Sequence, residues 1–126
     1  MRIQKLIRAC VFVAVLLLAL VTVSQETKPP EFDMQKKLEY AKNILDGLVT
    51  EDFDKILQSG KALNELGKRK WRENESAAYR TQNQVFWFTA GTLVLAAKDK
   101  NIDGATLSYT QMTLSCVNCH KVLRSQ

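Results

Sequence analysis

No proline occurs after Pro30 in a chain of 126 residues. Proline inside a helix removes a backbone hydrogen bond and clashes with the preceding turn, at a cost of about 3 kcal/mol. Everything beyond Pro30 is therefore open to long helices. Apolar residues recur there at steps of three and four, and no alternating strand pattern competes with them. The expected class is all-α.

Three breaks divide the stretch into four helices. The first is expected from Phe32 to Leu48, with Met34, Leu38, Ala41, Leu45 and Leu48 on one stripe that Ile44 widens. Thr50 is the expected cap of the second helix, which carries Phe53, Ile56, Leu57, Leu63 and Leu66 inward and stops at Gly67. Lys68 to Asn74 reads as a polar connection, helical in part. The third helix spans about Ser76 to Lys98, with Tyr79, Phe86, Leu93 and Ala97 among its apolar positions. Asn101-Ile102-Asp103-Gly104 signals a turn, and Asp103 is the expected cap of a fourth helix ending near Leu123. Short connections force the chain to reverse each time, which predicts an antiparallel up-down-up-down four-helix bundle.

The first 24 residues read differently. Arg2, Lys5 and Arg8 precede an apolar run from Ala9 to Val23, and no acid appears before Glu26. A basic start followed by a short apolar core is the pattern of a secretory signal peptide. A membrane-spanning helix needs roughly 20 apolar residues, more than this run offers. Thr22 and Ser24 suit a cut near Ser24–Gln25, although no Ala-x-Ala marks it, and an uncleaved anchor is the alternative. The division is thus 1–24 signal and 25–126 folded domain, opened by a short extended lead-in over residues 25–31 at Pro29-Pro30. Cys10 leaves with the signal. Removing residues 1–24 takes the basic count from 18 to 15 against 13 acids, a net +2. So weak an excess excludes a nucleic-acid binder, which shows a clustered basic face.

Cys116-Val117-Asn118-Cys119-His120 fits C-x-x-C-H, the signature of covalent haem attachment. Residues three and four apart are neighbours on a helix. Cys116 and Cys119 would therefore form thioethers with two vinyl groups, while His120 reaches the iron beside them. Ala105, Tyr109, Met112, Cys116, Cys119 and Leu123 form one stripe at steps of four and three, so the attachment cysteines are expected in the core. Other uses of two cysteines fit less well. Zinc needs four ligands of Cys or His type, and beyond residue 24 there are two Cys and one His. A thioredoxin-like dithiol belongs beside a βαβ unit. A disulfide here would close too small a loop to stabilise much.

The motif lies six residues from the last one, so a second axial ligand must come from earlier helices. The only His is used, and Met112 shares a helix with His120. Met34, at the start of the first helix, lies level with the end of the fourth in an antiparallel bundle. Its sulfur is either the second ligand or core filling. Met/His ligation makes a high-potential electron-transfer centre, whereas an open site admits a diatomic gas such as NO or CO.

With C-x-x-C-H near the end of a four-helix pattern, residues 32–124 resemble the cytochrome c-prime family and the low-spin four-helix-bundle c-type cytochromes. The likeness rests chiefly on Cys116, Cys119 and His120. It implies one covalent haem c, and an exported, periplasmic single-electron carrier rather than an enzyme, working with redox partner proteins. In the low-spin members a Met of the first helix faces the iron, and Met34 matches it. A basic residue four after the haem His is common near the cofactor, and Arg124 matches. Family members often dimerise; Trp87, off its helix stripe, is the candidate for a dimer surface. Lys68, Arg69, Lys70 and Arg72 form either a docking patch for an acidic partner or a solvated loop. Asn74-Glu75-Ser76 matches a glycosylation sequon.

Overall fold

The computed structural model describes residues 30–125. They form an all-α, antiparallel four-helix bundle: α1 Pro30–Thr50, α2 Phe53–Glu73, α3 Ala77–Lys98 and α4 Ile102–Arg124. The proposed signal segment and its cleavage site lie outside the described residues. No helix among the described residues is long and apolar enough to cross a membrane.

The helix ends follow from local chemistry, with four departures from the sequence expectation. Pro30 begins α1 rather than lying in an extended lead-in. As a first helical residue it has no intrahelical N–H bond to lose. Asp52, not Thr50, caps α2 by accepting from the Lys55 N–H at 3.0 Å. Thr50 is instead the last residue of α1, its hydroxyl bonded to the Asp46 carbonyl at 2.8 Å. At α4 it is Asn101, not Asp103, that accepts from the Gly104 N–H at 2.9 Å. Asp103 falls in the first turn, where its charge suits the helix dipole.

The fourth departure is Gly67. It does not end α2, which runs two more turns to Glu73. A Cβ there would lie 2.5 Å from the Trp87 Cβ and 3.1 Å from the Phe86 Cδ1. The glycine serves close approach of α2 to α3, not a stop. Its carbonyl accepts from the buried Asn83 Nδ2 at 2.6 Å. The expected connection Lys68–Asn74 is therefore helical as far as Glu73, and only Asn74 to Ser76 joins α2 to α3. The sequon residues serve this junction: Ser76 caps α3, and Asn74 Oδ1 accepts from the Ser76 N–H at 2.9 Å.

The other two turns share one motif. Glu51 and Lys100 each have φ of 53°. The next residues, Asp52 and Asn101, return their N–H groups to Gly47 and Ala96 at 2.9 Å each. Both are left-handed helix ends of the type that normally takes glycine.

The core is a cluster centred on α2 and α3: Ile56, Leu63, Phe86, Ala90, Leu93 and Ala97, joined by Ile44, Ala105 and Met112. Helix α3 packs closely on both α2 and α4, and α1 packs on α2, whereas α1 meets α4 at few positions. The bundle thus has three closed seams and one loose one.

That inequality sets the rotation of the two outer helices. On α4 the buried line is Ala105, Ser108, Met112, Ser115 and Cys119. Small residues let the helix approach α3, with the Ser108 and Ser115 hydroxyls bonded to carbonyls of their own helix. Tyr109 and Cys116, expected at the centre of the stripe, stand half-buried at its edge, and Leu123 is exposed. On α1, Ile44 is fully buried while Leu38 and Leu45 are 57% and 50% exposed. The expected inner stripe of α1 is therefore only partly inward: Ala41 and Leu48 pack against the core, while Leu38 lies at the loose seam. Of Phe86, Trp87 and Phe88, the first is core, Trp87 is half-buried against it, and Phe88 faces solvent.

Two outcomes test these contacts. Gly67→Ala lowers the unfolding free energy by about 1–2 kcal/mol in urea denaturation, because overpacking outweighs alanine's helix preference. Lys100→Gly raises it by about 1 kcal/mol, since a left-handed side-chain residue is strained; an unchanged melting temperature would show the turn to be unstrained.

Candidate functional site

The loose α1–α4 seam opens into a cavity of about 240 Å³. Met34, Lys37, Leu38 and Ala41 form its α1 wall. The α4 wall includes Tyr109, Met112, Cys116, Cys119 and His120, and Leu63 and Phe86 form the floor. The structure thus brings together Met34, Cys116, Cys119 and His120, which lie far apart in sequence. It does not bring Arg124 to the cavity: Arg124 is the exposed last residue of α4, one turn beyond His120.

Helical spacing places the donors. Cys119 lies on the buried line of α4, Cys116 on its seam edge, and His120 one turn from Cys116 on that same edge, exposed to solvent. The antiparallel run of α1 brings Met34 level with them, half-buried. Burial pushes both thiols above the ordinary cysteine range, and the Lys37 ammonium partly offsets this. Both cysteines are free. Among the described residues no three His, Cys, Asp or Glu side chains gather as a metal-binding cluster.

The lining fits what a haem would need from the protein. Two thiols three residues apart open into one apolar cavity, an imidazole stands beside them, and a thioether lies on the opposite wall. Size adds a condition. Pockets that bury a drug-sized molecule run about 300–1,000 Å³. A macrocycle would therefore have to part the seam further, and Leu38 is already only half covered there.

Lys37 is the site residue that the sequence reading missed. Its ammonium lies 4.5 Å from the centre of the Phe86 ring and 3.5 Å from the Asn83 Oδ1. Among the described residues no carboxylate lies within ion-pair distance of it. Burial draws its pKa below the usual lysine value; Cys116, Cys119 and Asp33 pull the other way. The available signal was its position, one turn after Met34 on the same side of α1.

The basic cluster is helical rather than a loop: Lys68, Arg69, Lys70 and Arg72 all lie on α2. Asp33, 6% exposed, binds Lys70 Nζ at 2.6 Å and Arg69 Nη2 at 3.2 Å. Lys70 also reaches Glu73 at 2.8 Å, and Lys68 pairs with Glu65 at 3.0 Å. The Arg80 guanidinium covers the Trp71 ring at 3.9 Å. The two Asp33 pairs pin the first turn of α1 to the end of α2, next to Met34 at the cavity wall.

Comparison with family models, with curated proteins and with solved structures finds no match to this chain.

The Asp33 anchor has a measurable weight. Asp33→Ala removes two charge-assisted contacts at a buried carboxylate and is expected to cost about 2 kcal/mol of stability by thermal or urea unfolding. A loss below about 0.5 kcal/mol, the usual size for exposed pairs, would mean the anchor is no stronger than they are.

Proposed function

We propose that this chain is an exported monohaem c-type cytochrome that carries single electrons. Cys116 and Cys119 attach the haem, His120 is the proximal ligand and Met34 the second. The observation that carries the reading is the convergence of these four side chains on one apolar cavity. The haem supplies a one-electron iron couple when bound; the rest is the work of the chain.

Cys116 and Cys119 would fix the group to α4, which packs closely along α3, so its position would change little between redox states. His120 and Val117 are exposed. One edge of the site therefore lies at the surface, where a redox partner protein can approach. Leu63 and Phe86 keep the floor dry, which favours the less charged state of a bound ion. The likeness to the cytochrome c-prime family and its low-spin relatives supports the same reading, as does the signal-like segment 1–24 for export to the periplasm. A homodimer is compatible with the exposed Phe88, Leu95 and Val85 of α3.

A second reading, gas binding at a five-coordinate iron, is favoured by one feature: Leu38 shares the wall with Met34. An apolar residue over the iron would leave the sixth position open.

The deciding measurement is a pyridine haemochrome spectrum of protein made with a haem-maturation system. The expected result is one covalent haem per chain, lost in Cys116→Ala/Cys119→Ala. Absence of haem from the natural sequence ends both cytochrome readings. Carbon monoxide separates them: the ferrous protein is expected to bind it slowly and weakly, and prompt tight binding would favour the open site.

A further inference from the structure

The cavity has a second base on the wall opposite His120. Lys37 follows Met34 by three residues, so the two side chains leave α1 in nearly the same direction. Both line the cavity that holds Cys116, Cys119 and His120. Among the lining residues, Lys37 and His120 are the nitrogen bases, and only Lys37 stands on α1.

The surroundings of the Lys37 amine are unusual for a lysine. Lys55, Lys68 and Lys70 each lie within 3.0 Å of a carboxylate oxygen. Lys37 instead has an aromatic face at 4.5 Å and an amide oxygen at 3.5 Å, the outer limit of a hydrogen bond. Even a half-buried cation is costly when it is not paired. Phe86 and Asn83 compensate it weakly, and burial already loosens its proton. A Lewis acid entering the cavity competes with that proton for the nitrogen lone pair.

We propose that Lys37 is a second distal base, able to take the sixth position of the haem iron in competition with Met34. This rests on the haem reading. An amine is a harder ligand than a thioether and favours the ferric state. The site thus has two alternative strong ligations, thioether for ferrous iron and amine for ferric iron, set one helical turn apart on α1. Asn83, held by the Gly67 carbonyl at 2.6 Å, keeps its oxygen toward the amine when the iron does not bind it.

The test compares holoproteins at neutral pH by absorption and electron paramagnetic resonance. Met34→Leu keeps apolar volume on the wall and is expected to leave ferric haem low-spin, with the signature of two axial nitrogens. Met34→Leu/Lys37→Arg keeps the positive charge but removes the ligating amine, and is expected to turn the ferric haem high-spin. A high-spin Met34→Leu protein overturns the proposal while leaving the cytochrome reading intact. So does a double variant that stays low-spin. Absence of covalent haem from the natural chain overturns both. Haem content of each variant, taken from the haemochrome spectrum, shows that the site has formed before the spin states are compared.

Discussion

Close approach of α2, α3 and α4 is the constraint on which the rest of the structure depends. It is made by small residues facing larger ones: Gly67 under Phe86 and Trp87, Gly60 against Leu93 and Val94, and the line of Ala105, Ser108 and Ser115 on α4. A helix that packs at short distance along one line cannot pack equally along the next. By closing on α3, α4 turns its Tyr109–Cys116 edge away from that contact. Helix α1 is committed elsewhere, held to α2 by Ile44 and by Asp33 with Arg69 and Lys70. The fourth seam has no pair of complementary faces left to close it.

The open seam gives the site its chemistry. Leu38 is half exposed there, and covering it more fully is worth on the order of 1 kcal/mol. A flat apolar group would gain that burial, and the wall it would meet carries two thiols, an imidazole and a thioether. Lys37 crosses the same space with weak partners, so it is the element of the wall most open to rearrangement. Stability and reactivity are divided between the helices. Helices α2 and α3 supply the packed core, and the α1–α4 seam supplies the exposed donors.

Much of the site was legible because it is written in spacing. Cys116, Cys119 and His120 share a helix, and three- and four-residue steps fix their relation whatever packs around them. Met34 was reached by antiparallel register, which short connections enforce. Lys37 was missed because elimination considered only sulfur and imidazole, and because a lysine on a stripe edge normally points to solvent. It turns inward here since the neighbouring seam is open and Phe86 offers its face. In sequence Gly67 looks like a stop, because glycine commonly ends helices; its other use, clearance for a facing side chain, depends on residues about twenty positions away.

What the sequence by itself determined is therefore local and periodic. It settled four helices, their antiparallel order, the inward Tyr79, Phe86, Leu93 and Ala97 of α3, and the grouping of the C-x-x-C-H side chains on one helix. These follow from backbone geometry and chain connectivity. Only the tertiary structure decided the rotation of α1 and α4, the continuation of α2 past Gly67, the pairing of the basic cluster, and the inward turn of Lys37. Each of those depends on which seam closes most tightly. That is a competition between helix faces that no single helix records.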